Sequence, residues 1–403
     1  MSRPLEGIRV LDFTHGVAGP YCSMILGDLG CDVIKIEKPQ RGDPTRYMNV
    51  SDRFLDNIPH VGGDYFLAIN RNKRSLTVDM KSPEGVGICK ELALWSDVAL
   101  QSFRPGVMER LGLDYASLSA TNPGLVYGSL SAYGPDGPLA GKPGMDVAIQ
   151  ARSGVMDSTG LPGMDEPVRP AVSLADFSGG VFLALGVISA LFEQMRSGKG
   201  QQVEMSLMDA TMSMLSNYAV AVLDGGADLQ RMGSGHPQLV PYQAFPTCDG
   251  HVVISAGTNK LYRALCTAIG REDLGVEPRF ATNDARVRNR DELVPLLSEV
   301  LHTRSTAAWI DVFDAAGVPS APVNSLAQAF REPQLRASKM VETITHSVVG
   351  DINVAGIPFK YGRSKGDIRR PPPCLGEHTD EILTSLLGRS SLDIETLRAR
   401  GVI

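Results

Sequence analysis

The chain has 403 residues, more than one simple hydrophobic core supports, so two domains are the default expectation. Hydrophobic residues make up 43% and charged residues 21%, and the 42 glycines and 26 prolines form no low-complexity tract, which argues against disorder. A net charge of −6 argues against a general nucleic-acid binder, and six isolated cysteines offer no CxxC or Cys/His metal cluster.

The opening MSRPLEGIRVLDF lacks the apolar core of a secretion signal. No apolar run is expected to approach the ~20 residues of a membrane span. The best candidate, Val181 to Leu191, stops at Glu193 and Arg196, and the chain reads as cytoplasmic.

In chain order, Gly7–Phe13 reads as a buried strand, Pro20–Leu29 as a helix closed by Gly30, and Cys31–Glu37 as a second strand. A helix over Glu84–Trp95, a third strand over Asp97–Phe103 and a fourth over Leu125–Tyr133 follow. Strands and helices alternating in this way predict a doubly wound parallel sheet, with ligands beyond the carboxyl ends of its strands. A site is therefore expected at the loops 14–20, 38–46, 102–106 and 131–137. A long helix is predicted after Asp176, ending at Ser197–Gly200, then a short strand from Gln202 and a helix over Met208–Leu223. Polar, glycine-rich Asp224–Gln238 reads as a linker or ligand loop. A smaller second domain follows, with a strand over Gly250–Gly257 and helices over Lys260–Ile269, Arg290–Leu301 and Ala307–Ala316. The tail from Pro371 starts extended and ends as a short helix.

Asp176 directly precedes the most apolar helix of the chain. A carboxylate there is costly to bury unless a helix N-terminus compensates it or a reaction uses it. It reads either as an N-cap or, with Ser178, Gly179 and Gly180 letting a bulky substrate approach, as a covalent nucleophile. Asn72–Ser75 sets Lys73 and Arg74 beside small polar residues before the strand-like Leu76–Met80. That is a solvated turn or a phosphate site. Phe103 and Arg104, closing the third strand, offer an aromatic face and a guanidinium to a nucleotide base. His15, in the loop after the first strand, is a ligand contact or a structural hydrogen-bonder.

These segments, in this order, resemble the family III CoA-transferases of the CaiB/BaiF type. The resemblance covers essentially the whole chain and rests on motifs from end to end. They are Pro4–Thr14, Ala18–Pro20, Leu29–Glu37, Gly42–Arg46, Asn70–Ser75, Gly124–Tyr133, Ala175–Gly180, Gly198–Gln201 and Gly376–Leu383. It implies that Asp176 attacks an acyl-CoA thioester, giving a mixed anhydride and then an aspartyl-CoA thioester, which the acceptor acid reverses. His15, Lys38, Lys73, Arg74, Phe103 and Arg110 match positions of the family's CoA pocket, and Arg46, Arg104 and Tyr133 are expected with them. The family's glycine-rich closing loop corresponds to Arg231–Tyr242, with Gly233 and Gly235.

Val17 and Ser131 replace a glutamine and a lysine of the formyl-CoA enzyme, which disfavours formate and oxalate. Arg231–Gly257 is closer to the succinyl-CoA-dependent members, so a dicarboxylate or hydroxy-dicarboxylate acceptor is expected. The resemblance implies coenzyme A thioesters as substrates, with no tightly bound cofactor, metal, nucleic acid or membrane. It also implies an interlocked, ring-like homodimer. Each chain would build a Rossmann-like large domain from 1–200 and 336–403, a small α/β domain from 225–320, and linkers at 201–224 and 321–335.

Two other readings compete. An α-methylacyl-CoA racemase of the same superfamily uses the Asp176 equivalent with a histidine where Met145 stands and a glutamate near Thr258, so its two-base mechanism lacks one base here. A non-catalytic CoA-binding partner subunit is disfavoured by the intact Asp176–Gly180.

Overall fold

Val10, Leu11, Val33, Ile34 and Ile36 are buried whichever way their side chains point, which makes their sheet a middle layer covered on both faces. The computed structural model describes residues 2–403. The chain divides into two units. One gathers the chain up to Val155, Pro170–Ala227 and Gln334–Ile403; the other holds Met156–Arg169 and Asp228–Pro333.

The first unit opens with β1 (Arg9–Asp12), α1 (Ala18–Asp28), β2 (Asp32–Glu37), α2 (Asp64–Ile69) and β3 (Lys73–Thr77). It continues through α3 (Pro83–Trp95), β4 (Val98–Gln101), α4 (Val107–Leu111), α5 (Tyr115–Ser119), β5 (Val126–Ser131) and α6 (Asp146–Arg152). After α7 (Val155–Ser158) come the long α8 (Leu174–Ser197), β6 (Gln202–Ser206), α9 (Leu207–Met214) and α10 (Ser216–Leu223). All six strands pair in parallel, in the order β3-β2-β1-β4-β5-β6. The order reverses between β1 and β4, so the two loops leaving these strands diverge and open a crevice.

On one face, Leu11, Ile34 and Leu76 pack under Ile88 and Leu92 of α3. On the other, Val10, Val98 and Val126 pack under Leu26 of α1 and Leu183, Val187 and Leu191 of α8. The expectation that no apolar segment nears membrane-span length needs correction, because α8 has 24 residues and is long and apolar enough by composition. Half of that apolar stretch is buried against the sheet, as in a core helix. Gly198, in the left-handed region at φ +74°, stops it.

The second unit has its own core. β7 (Tyr242–Pro246), β8 (His251–Ser255) and β9 (Ser320–Pro322) form an antiparallel sheet. It is covered by α11 (Asn259–Ala268), α14 (Arg290–Leu301) and α15 (Thr306–Ala316), with the shorter α12 (Glu272–Val276) and α13 (Asn283–Arg288) between. Arg286 is fully buried there, donating to the carbonyls of Val240 at 2.6 Å and Gly257 at 2.7 Å. Next come the short α16 (Leu326–Ala329) and α17 (Pro333–Ala337). The hairpin β10 (Val341–His346) and β11 (Gly350–Ala355), then α18 (Thr379–Leu387) and α19 (Ser391–Ala399), return to the first unit.

Two expected linkers are therefore not linkers. Within 201–224, Gln202–Ser206 completes the sheet as β6, because its backbone pairs with β5. Within 321–335, Ala321 and Pro322 pair with β8. The segment 156–169 also joins the second unit, which was not foreseen.

A buried ion pair ties these pieces of the first unit together. Arg46 and Glu37 have fully buried side chains 2.7 Å apart. The Arg46 guanidinium also donates to the carbonyls of Val61 (2.9 Å), His60 (3.1 Å) and Pro373 (3.2 Å) and lies 3.7 Å from the centre of the Phe66 ring. Burial alone would raise the Glu37 pKa; Arg46, Lys35 and the Ser75 hydroxyl outweigh it and hold it below the usual carboxylate range. Removing one member of such a pair strands the other in a dry site. Arg46→Met should lower unfolding stability by about 3–5 kcal/mol. Arg46→Lys should recover less than half of it, because an ammonium cannot reproduce the fork. Urea unfolding midpoints measure both, and a midpoint unmoved in Arg46→Met would contradict the assignment.

Candidate active site

The carboxyl edge of the sheet is shaped by charges held below it. Asp12, at the end of β1, accepts from the Thr14 N–H (2.9 Å) and the Ser23 hydroxyl. Lys35 donates to the Thr14 carbonyl at 2.7 Å and pairs with Asp43 at 2.9 Å. Asp43 in turn accepts from the Gly16 N–H at 3.3 Å. The loop 14–17 that presents His15 is thereby fastened to β2 and to the loop after it.

Two cavities open at this edge. The first, about 460 Å³, is bounded by the loops after β1, β2 and β3 and by Phe103–Leu111. The second, about 620 Å³, lies between Ser102–Arg110 and the segments 131–132 and 140–145. His15, Phe103, Val107 and Arg110 line both. The His15 backbone N–H donates to the Ser102 hydroxyl at 3.0 Å, and its ring centre lies 4.8 Å from that of Phe103. Burial lowers the His15 pKa, so the imidazole at this junction is neutral near neutral pH.

Of the residues expected to bind coenzyme A, His15, Lys38, Phe103 and Arg110 line the first cavity. Arg104 and Ser131 line the second. Lys81 in the first and Lys142 in the second are cations the sequence reading missed. Lys81 directly follows the expected strand Leu76–Met80, so the rule that ligands sit past strand ends could have found it. Lys142 follows no strand directly and carried no such signal.

Lys73, Arg74 and Arg46 do not line these two cavities, because acids claim them: buried Asp12 and Glu37 for Lys73 and Arg46, half-exposed Asp32 and Glu381 for Arg74. Lys73 is sealed against Asp12 (3.5 Å), the Asn70 side-chain oxygen (2.7 Å) and the Pro20 carbonyl (2.9 Å). Arg74 pairs with Asp32 (2.6 Å) at the amino end of β2, the opposite edge, and with Glu381 (3.1 Å). Tyr133 packs into the core beside Gly144, with the Arg152 guanidinium 5.9 Å from its ring centre. Val17 starts α1 by accepting the Tyr21 N–H at 2.9 Å.

Gly179 and Gly180 lie where neighbouring elements approach closely. A Cβ on Gly180 would stand 2.6 Å from the Ala18 carbonyl, and one on Gly179 would stand 2.7 Å from Leu207. Without side chains there, α8 lies close against the start of α1 and against α9. Gly233 and Gly235 belong to the second unit. Gly233 there donates its N–H to the Gly160 carbonyl at 2.8 Å, at φ +59°.

Asp176 sits in the first turn of α8 and is not its cap. Ser173 occupies that position without a side-chain bond. Asp146 supplies the acceptor from α6, taking the Ala175 N–H at 2.9 Å. Among the described residues no group hydrogen-bonds or pairs with the Asp176 carboxylate. Burial first, and then the like charge of Asp146, raise its pKa to about 7. Asp176 is not among the residues lining either cavity; a carboxylate left unpaired at a helix start nevertheless has the properties of a nucleophile or a base. Met145, which immediately precedes Asp146, lines the second cavity as a thioether and cannot accept a proton.

The comparisons fit this geometry. The model of CoA-transferase family III matches residues 5–379. A human succinyl-CoA:glutarate CoA-transferase is 37% identical over 403 residues, covering 100% of this chain and 90% of the relative. An Acetobacter aceti acetyl-CoA:oxalate CoA-transferase is 38% identical over 370 residues, covering 91% of this chain and 92% of the relative. The crystal structure of a CaiB/BaiF family protein from Brucella suis superimposes with a TM-score of 0.85 at 36% identity, over 96% of this chain and 100% of that one. The chain belongs to CoA-transferase family III.

Because the native-state pKa of Asp176 lies above its ordinary value of 3.8, ionising it opposes folding. The penalty is absent below about pH 4, grows as pH rises, and is complete above about pH 7. Asp176→Asn should therefore melt higher than wild type at pH 8, with the gain vanishing towards pH 4. Thermal melts across that range test it, and equal melting temperatures at pH 8 would count against it.

Proposed function

We propose that this family III CoA-transferase moves coenzyme A from succinyl-CoA to a dicarboxylic acid through covalent intermediates on Asp176. The observation that carries the reading is the unpaired carboxylate of Asp176, raised to a pKa of about 7, in the first turn of α8. The names of relatives along the whole chain support a dicarboxylate acceptor.

The ionised Asp176 oxygen attacks the thioester carbonyl, forming an acyl–aspartyl anhydride as the C–S bond breaks and coenzyme A leaves as thiolate. The thiolate attacks the aspartyl carbonyl, forming the aspartyl-CoA thioester and releasing the donor acid as carboxylate. The acceptor carboxylate attacks that thioester, giving a second anhydride and the thiolate. Thiolate attack on the acceptor carbonyl yields the new acyl-CoA and returns Asp176 to its starting form. No net proton is consumed. Phe103 and the cations Lys38, Lys81, Arg110 and Lys142 would hold the nucleotide and its phosphates, so that each step is effectively intramolecular.

The acetyl-CoA:oxalate relative favours a second reading, with acetyl-CoA as donor and oxalate as acceptor. A screen of glutarate, malate, citramalate and oxalate against succinyl-CoA and acetyl-CoA separates the two. Asp176→Ala and Asp176→Asn should each lose at least about 10³-fold in kcat. Borohydride added during turnover should reduce the intermediate and mark Leu174–Gly180 by peptide mass spectrometry. Near-wild-type transfer in either variant sinks the mechanism.

A homodimer is part of the proposal. Val181, Leu185, Phe192 and Met195 on α8 expose large apolar side chains, as expected of a face a second copy covers. An interlocked pair would bury above about 2,000 Å². Light scattering should give twice the 43.2 kDa chain mass down to nanomolar protein; an active species of one chain would refute it.

A further inference from the structure

Helix α8 begins without a capping side chain of its own, because Ser173 makes no such bond. The Ala175 N–H would be an orphan donor in the turn that carries Asp176. Asp146 Oδ1 accepts it at 2.9 Å, and Asp146 Oδ2 accepts from Gln150 Nε2 at 2.7 Å. Gln150 is fully buried and its amide oxygen has no hydrogen-bond partner, so the side chain is committed to the face that holds Asp146. Gly144 and Met145, the two residues before Asp146, form part of the wall of the second cavity. Cavity wall, Asp146, Ala175 and Asp176 are thus joined by successive covalent and hydrogen-bonded links.

We propose that Asp146 is a positioning residue for the chemistry assigned to Asp176, capping α8 from a neighbouring helix and holding a fixed negative charge beside the reacting carboxylate. The inference rests on the nucleophile reading and deepens it. Helix α8 packs against α1, α6, α9, β5 and β6. Their charged residues are Asp28, paired with Arg71 at 2.6 Å, Asp146 and Arg152 on α6, Asp209 on α9, and Glu204 on β6. The neutral His15 stands in the loop before α1. Of all these only Asp146 acts on Asp176, and it acts against ionisation. When Asp176 becomes acylated its charge leaves on the coenzyme A sulfur, and the repulsion between the two carboxylates is relieved. The pairing therefore raises the free energy of the resting nucleophile while leaving the neutral anhydride untouched.

Asp146→Asn keeps an acceptor for the Ala175 N–H and removes the charge; Asp146→Ala removes both. The rate at which succinyl-CoA modifies Asp176 in one turnover, trapped with borohydride and read by peptide mass, is followed from pH 5 to 9. The acid limb should move to lower pH by about one unit in Asp146→Asn, because the carboxylate then ionises more easily. Asp146→Ala should lose at least about tenfold more plateau rate than Asp146→Asn, through loss of the cap. Should Asp146→Asn not fold, Asp146→Glu keeps the charge and should keep the wild-type limb. A limb unmoved in Asp146→Asn, equal plateaus in the Asn and Ala variants, or a moved limb in Asp146→Glu each overturn the inference while leaving Asp176 its role. Absence of any modification of Asp176 in wild type instead overturns the reading beneath it.

Discussion

Sealing Glu37 and Arg46 together beneath the carboxyl edge constrains much of the first unit. Neither charge reaches water, and leaving either alone in such a place costs several kcal/mol. To satisfy both, the chain must bring five separate segments to one point. They are the end of β2, the turn at 43–46, the carbonyls of 60–61, Ser75 on β3 and the carbonyl of Pro373. The carboxy-terminal tail is held to this point further by the Gly376 N–H, which donates to the Ser75 hydroxyl at 2.9 Å, and by the His378 N–H, which donates to the Ser75 carbonyl at 3.0 Å. Both ends of the chain thus close one unit.

The same pairing of charges runs through the richest cationic motif. In Asn70–Ser75 each side chain has a protein partner: Arg71 takes Asp28, Asn72 bridges Asp28 and the Arg369 N–H, Lys73 takes Asp12, Arg74 takes Asp32, and Ser75 takes Glu37. A phosphate would have to displace a buried carboxylate to reach Arg71 or Lys73, and a half-exposed one to reach Arg74. Lys38, Arg110 and Lys142, by contrast, are exposed at the cavity rims and have no ion-pair partner among the described residues. Charge in a motif therefore divides between the foundation and the rim, and burial decides which.

Sequence pattern revealed the sheet because strands covered on both faces give uninterrupted apolar runs, as in Val33–Ile36 around a paired lysine. It misjudged β3 by about three residues: Lys73–Ser75 look like a polar turn until their acids on β1 and β2 are known. The hairpin β10–β11 escaped because Glu342 interrupts its inward face, while Thr343, Thr345, Asp351 and Asn353 point outward and leave only a weak alternation. Asp176 stood out as a carboxylate at the head of an apolar helix. The helix's cap did not, because Asp146 lies 30 positions before Asp176 and only the packing of α6 against α8 brings it to the Ala175 N–H. Gly179 and Gly180 were noticed as openings for a substrate, and sequence cannot tell a glycine that admits a substrate from one that admits a helix.

That last distinction bears on how the site acquires its reactivity. A carboxylate at a helix start is normally stabilised by the N–H groups there and is a poor nucleophile for the same reason. Here the Ala175 N–H is already spent on Asp146, and Asp146 adds repulsion where the helix would have offered comfort. Burial and Asp146 thus oppose the ionisation that the helix start would have favoured. A fold that pairs its other buried charges, Arg46 with Glu37 and Lys35 with Asp43, can tolerate one carboxylate that it does not satisfy.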